Sequence, residues 1–117
     1  MVSETRDHSS EEVHTFPSGA KRTVKEERFD LICPAGLRRI ARRYALGAKK
    51  YSDFNWCMGV PPAVTLNHLI AHVVDYLEHG NTRDDNLAAI ALNAIALIHY
   101  EEGCNHHTAP YRSGEPG

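Results

Sequence analysis

DDNLAAIALNAIALIHYEE, residues 84–102, is polar at both ends and apolar between them. From Leu87 to Ile98 only Asn93 is polar. A run this long without alternation fits a helix, and a helix that is apolar all round is buried on every side. Five alanines, at 88, 89, 91, 94 and 96, allow close approach by neighbouring helices. Asn81–Thr82 is the expected N-cap, with Asp84 and Asp85 in the first turn, where the helix dipole favours acids. Gly103 is the expected stop. An amide buried in such a helix needs partners, so Asn93 either fixes packing across a dimer or faces a ligand pocket.

Working outward, Pro61 or Pro62 opens a second helix that runs to about His79, where Gly80 supplies a C-terminal stop. Its apolar face is Leu66, Leu69, Ile70, Val73, Val74 and Leu77. Before it lies an aromatic loop, SDFNWCMGVPP at 52–62. A first helix begins near Pro34. Leu37, Ile40, Ala41, Tyr44, Ala48 and Tyr51 share one face of it, and arginines and lysines cover the other. Residues 1–25 and 103–117 are too polar to offset their ordering entropy and are expected as flexible tails, which leaves 26–102 as the helical, ligand-binding domain. Two helices hardly enclose an all-apolar third. The expected fold is therefore all-α, a compact bundle of three main helices completed by oligomerisation, most simply as a homodimer.

Composition narrows the function. The first residues lack the basic start and apolar run of a signal peptide. The longest apolar stretch, Leu87–Ile98, is too short to span a bilayer. Cys33, Cys57 and Cys104 are odd in number and have no CxxC spacing, which argues against a disulfide framework or a zinc finger. A net charge of −2 argues against a nucleic-acid coat. A reduced, cytoplasmic protein with neither membrane nor nucleic-acid partners is the expectation.

The charge is unevenly distributed. Residues 26–59 hold seven bases and four acids, and 60–102 hold one base and six acids. The basic half also contains Phe54, Asn55 and Trp56. Guanidinium and ammonium groups suit phosphate and aromatic faces suit a nucleobase, so this half could hold a nucleotide. The plainer alternative is a solvated basic face with Trp56 folded back as an apolar plug. On the second helix His68, His72, Asp75 and His79 form a stripe at spacings of four, three and four. It could bind a transition metal, contact phosphate or transfer protons, but an exposed polar face is the commoner outcome. Asp75 and Glu78 near the end of that helix, with Asp84 and Asp85 across the turn, are candidates to hold Mg²⁺. Capping also explains Asp84 and Asp85 well. Cys104, His106 and His107 form a further small cluster that could bind metal adventitiously.

Residues 27–56, ERFDLICPAGLRRIARRYALGAKKYSDFNW, resemble the opening of a phage-type family, the dATP/dGTP diphosphohydrolase N-terminal domain. LNHLIAHVVDYLEHG and DDNLAAIALNAIALIHYEE resemble its second and third helices, so the likeness covers nearly all of 27–102. It implies an all-α fold distantly similar to MazG-like nucleotide pyrophosphohydrolases. By motif position the characteristic residues are Arg28, Asp30, Lys49, Lys50 and Tyr51, then Asn55, Trp56, His72 and Asn93. With Arg42 added and Asp30 left aside, these are the expected ligand contacts. MazG-like enzymes hold Mg²⁺ with ExxE and ExxD motifs; the matching stretches here read His72-Val-Val-Asp75 and Asp85-Asn-Leu-Ala88. Binding, for instance sequestration of a nucleotide signal by a phage-encoded protein, is therefore expected ahead of hydrolysis. In the hydrolytic alternative Asp75, Glu78 and Asp85 would hold Mg²⁺ while a purine dNTP loses pyrophosphate. A structural oligomerisation module is the third alternative.

Overall fold

The structure, a computed structural model, describes residues 12–103. The chain divides into two compact units, Met1–Cys33 and Pro34–Gly117.

In the first unit β1 (Val13–Thr15) pairs antiparallel with β2 (Lys21–Thr23), in the register Val13 to Thr23, His14 to Arg22 and Thr15 to Lys21. The connection closes on itself, because Phe16 N–H donates to the Ala20 carbonyl and Gly19 N–H donates to the Phe16 carbonyl. Gly19 has φ +92°, a conformation that favours glycine. This hairpin lies within residues 1–25, the stretch expected as a flexible tail. All six strand residues are exposed, so neither face has an apolar alternation to read. A short 3-10 turn, Phe29–Leu31, follows.

The second unit consists of α1 (Pro34–Lys50), α2 (Pro62–His79) and α3 (Asn86–Glu101), and the all-α expectation holds there. Proline opens α1 and α2, and Gly80, at φ +60°, ends α2. The start of α3 is corrected: Asp85 is its N-cap, accepting from Ala88 N–H at 3.2 Å. Asn81 remains in the connecting turn, yet its side-chain carbonyl accepts from Leu87 N–H. It therefore satisfies one of the orphan donors of α3 from outside the helix.

α3 is the shared element. Among the described residues it packs on both α1 and α2, which do not pack on each other. The face of α1 that is shielded holds Gly36, Arg39, Ile40, Arg43, Tyr44 and Ala48, so two arginines expected on the outside lie on it. α2 is turned the opposite way from its pattern. Thr65 is buried and His72 half-buried, whereas Leu66, Ile70, Val73, Val74 and Leu77 are exposed. α3 itself buries Asn86, Ala88, Ala89 and Ala96 but exposes Leu87, Ile95 and Ile98, so one chain does not enclose it. Among the described residues no helix is long and apolar enough to cross a membrane.

Candidate functional site

The small side chains of α3 make room for a trough. Ala89, Leu92, Asn93 and Ala96 floor a cavity of about 580 Å³ whose walls come from α1 and α2. Because those two helices do not meet over α3, the space between them stays open. Arg43, Leu46 and Lys50 line it from α1, and Val64, Thr65, His68 and His72 line it from α2. Tyr51, Asn55, Trp56 and Val60 come from the connecting loop, and Asp84 from the turn before α3. The volume lies within the range of small-molecule sites, roughly 300–1,000 Å³.

The loop is held against the far end of α3 by Tyr100. Its phenol oxygen accepts from Gly59 N–H at 3.0 Å and Val60 N–H at 3.2 Å, and its O–H donates to the Trp56 carbonyl at 3.5 Å. The Trp56 ring sits edge-to-face with Tyr44, centroids 5.5 Å apart, and with His99 at 5.1 Å. Trp56 is thus both the expected plug and part of the cavity wall. Burial pushes the Tyr44 phenol up to about 12, with neighbouring Cys57 adding to the shift. Phe54 turns the chain in the left-handed region, φ 61°, where bulky residues are uncommon.

Two arginines one turn apart on α1 reach the two aspartates that precede α3. Arg39 grips Asp85 through both carboxylate oxygens, and Arg43 pairs with Asp84. Hydrogen bonding from Arg43 holds the Asp84 carboxyl below the usual carboxylate range, and Arg39 does the same to Asp85. Partial burial opposes both shifts. Asp84 also accepts from Asp85 N–H at 2.8 Å.

His72 is oriented by a neighbour that sequence reasoning missed. Asn86, 2 % exposed, donates from Nδ2 to the Gly80 carbonyl at 2.8 Å. That carbonyl can only accept, so Asn86 must turn Oδ1 towards His72 Nδ1, 2.9 Å away. The proton on His72 is therefore on Nδ1, and a neutral ring keeps Nε2 as a free acceptor. On α3, Asn93 Nδ2 donates to the Ala89 carbonyl at 2.8 Å. The Asn93 Oδ1 has no protein partner among the described residues, and neither has the hydroxyl of Thr65, which is 5 % exposed.

Six expected ligand contacts come together in the trough: Lys50, Tyr51, Asn55, Trp56, His72 and Asn93. Asn93 thus sits in a pocket lining. Arg42 and Lys49 are exposed and do not line it. Arg28 belongs to the first unit, where its Nε and Nη2 each donate to Asp30 at 2.8 Å. The expected Mg²⁺ donors Asp75, Glu78 and Asp85 do not assemble. Among the described residues no group of three or more His, Cys, Asp or Glu could hold a metal ion. The helix connection does bring acids near α2, but Asp84 and Asp85 turn towards the α1 arginines, while Asp75 and Glu78 remain exposed. The donor set therefore does not fit the ion. The histidine stripe divides as well, with His68 and His72 in the trough and His79 outside it. Cys104, His106 and His107 lie outside the described residues.

Arg43 and Asp84 are lining residues that the sequence did not nominate as ligand contacts. Two arginines one turn apart on α1 and an adjacent aspartate pair before α3 were the available signal. Nothing in the sequence marked Tyr100. A family model described as dATP/dGTP diphosphohydrolase, N-terminal, matches residues 17–110. No curated protein and no solved structure matches the chain.

Proposed function

The chain belongs to the dATP/dGTP diphosphohydrolase N-terminal family, and we propose that its trough binds a nucleotide or a nucleotide-derived, phosphate-bearing small molecule. The observation that carries this reading is a cavity of about 580 Å³ lined by polar groups that the protein leaves uncommitted. Lys50 makes no ion pair among the described residues and lies 5.2 Å from the Tyr51 ring centroid. It is the group best suited to phosphate, with Arg43 beside it already tied to Asp84. Tyr51 and Trp56 offer aromatic surface to a base. Asn55, the free Oδ1 of Asn93, the Thr65 hydroxyl and His72 Nε2 offer donors and acceptors for its edge. Buried polar atoms without partners are costly, and a polar ligand or water would satisfy them.

Sequestration without turnover follows from the same chemistry, since the acids expected to hold Mg²⁺ are dispersed or engaged by arginine. The test is titration calorimetry of the full chain against nucleoside mono- and triphosphates and cyclic nucleotides. Fluorescence of Trp56, the chain's sole tryptophan, gives an independent readout. Saturable binding with a change in Trp56 emission supports the reading. Absence of binding across the panel overturns it. Pyrophosphate release that depends on Mg²⁺ and is lost in Asp75→Asn would instead establish the hydrolytic alternative.

A further inference from the structure

We propose, on the reading of the trough as a nucleotide site, that it selects a base carrying an exocyclic amino group, through two acceptors: His72 Nε2 on α2 and Asn93 Oδ1 on α3. In each case a backbone carbonyl, which can only accept, decides which side-chain atom is left over for a ligand. The Ala89 carbonyl takes an amide N–H of Asn93 at 2.8 Å, so Oδ1 is the atom of Asn93 that remains. The Gly80 carbonyl takes an amide N–H of Asn86 at 2.8 Å, and Asn86 Oδ1 in turn takes the His72 Nδ1 proton at 2.9 Å. A neutral His72 ring is then left with Nε2, an acceptor. Asn86 is 2 % exposed, which shields this relay from water. Asn86 is therefore a positioning residue, and His72 and Asn93 are the two that would touch the base.

Both side chains line the same trough, and little around them is bound to donate. Asp84 only accepts, and Arg43 already donates to it. The Thr65 hydroxyl and the His68 ring can serve either way. Lys50, the one lining cation without an ion pair among the described residues, is the group suited to phosphate. The edge of a base that faces His72 and Asn93 must therefore bring protons. Adenine and cytosine carry two on one exocyclic nitrogen, and guanine sets its amine beside a ring N–H. Hypoxanthine and uracil bring a single ring N–H beside an oxo oxygen, and that oxygen would meet Nε2 or Oδ1 with no proton between them. A site built to hydrogen-bond a polar group rejects an analogue that lacks it, because its own polar atoms are left unpaired. The trough is open along one side, so water softens the penalty, and a preference of about tenfold or more is expected.

Calorimetry of the full chain at about pH 8, where an ordinary imidazole is neutral, tests this. The probes are two pairs, adenosine with inosine and cytidine with uridine, each as the mono- and the triphosphate. The amino-bearing member of each pair should bind about tenfold or more tighter than its oxo counterpart. Asn93→Ala, which favours the helix, removes one acceptor and should shrink that ratio to a few-fold while binding of the inosine nucleotides changes little. Should that variant fail to fold, nitrogen shifts of the His72 ring in the wild type take its place, and the Nε2 resonance should move with adenosine nucleotides and stay still with inosine ones. Equal affinity within both pairs overturns the inference and leaves the nucleotide reading standing. A preference that Asn93→Ala keeps in full, or an Nε2 resonance indifferent to the base, overturns the assignment to these two acceptors. Absence of binding by every probe overturns the nucleotide reading, and the inference falls with it.

Discussion

Replacing Asn86 by alanine removes the amide that joins the turn after α2 to the trough. The side chain is 2 % exposed and makes two bonds, one donated to the Gly80 carbonyl and one accepted from His72 Nδ1. The variant leaves both partners without a match. A fully buried orphan costs about 1–3 kcal/mol. Gly80 and His72 are only half-buried, so each falls near the lower end and water recovers part of the loss. The expected destabilisation is about 2 kcal/mol, or roughly a 30-fold shift in the folding equilibrium. Urea unfolding followed by far-ultraviolet circular dichroism measures it, at one fixed protein concentration because association would shift the midpoint. Asn86→Asp keeps an acceptor for His72 but sets a carboxylate oxygen against the Gly80 carbonyl in a site that is 2 % exposed, so a loss at least as large as that of Asn86→Ala is expected. Nitrogen chemical shifts of the His72 ring supply the second readout. They should show the proton on Nδ1 in the wild type and in Asn86→Asp, and a mixture of tautomers in Asn86→Ala. A stability change in Asn86→Ala within about 0.5 kcal/mol of wild type, the size of an ordinary surface substitution, refutes the reasoning. So does a wild-type ring protonated on Nε2 alone.

Lys50→Gln should weaken nucleotide binding about tenfold or more with no loss of stability, whereas Arg42→Gln and Lys49→Gln should leave it unchanged, all read by calorimetry. Asp84 and Asp85 have folded-state values below their unfolded ones, so their stabilisation is complete above about pH 4 and is lost as pH falls through the folded values. Melting temperature against pH should therefore drop on the acid side, and more shallowly in the double variant Asp84→Asn, Asp85→Asn. Tyr44 is shifted upwards to about 12, so stability should decline from about pH 10, its unfolded value, until the folded group ionises. Tyr44→Phe should remove that decline. Tyr100→Phe removes the acceptor for Gly59 and Val60 N–H and should cost about 1–2 kcal/mol, measured by urea unfolding.

The helices of the second unit were legible because prolines and glycines punctuate them: Pro34, Pro62 and Gly80 mark ends that the structure keeps. The start of α3 was less so. Asn81, Thr82, Asp84 and Asp85 are all good capping residues, and local preference does not say which one the α1 arginines will select. β1 and β2 left no apolar signature because neither side of the ribbon is covered. For the site, the basic and aromatic block gave Lys50, Tyr51, Asn55 and Trp56 directly. Arg43 was hidden by its neighbours, since four arginines between 38 and 43 look alike until a carboxylate chooses among them. Asn86 and Tyr100 act through backbone carbonyls and amides brought close by the fold, which residue type alone does not reveal.

The orientation of α2 bears directly on the trough. A helix ordinarily shields its apolar face and leaves its polar one in water, because that order removes the most apolar surface and desolvates the fewest polar groups. Here a single copy does the reverse. Among the described residues its buried apolar side chains amount to Cys57 and three alanines, while the five large aliphatic side chains of the outer row of α2, Leu66, Ile70, Val73, Val74 and Leu77, stay in solvent. Burying one such side chain completely stabilises by about 1.5–3 kcal/mol. The five are about half exposed on average, so covering them would contribute on the order of 4–7 kcal/mol per chain. That is comparable with the whole stability of a small domain, about 5–15 kcal/mol. The hydrophobic periodicity of α2 thus marks a face that a single copy leaves in solvent. Thr65, His68 and His72 occupy the inward side, so that side of α2 serves the trough with polar groups rather than an apolar core.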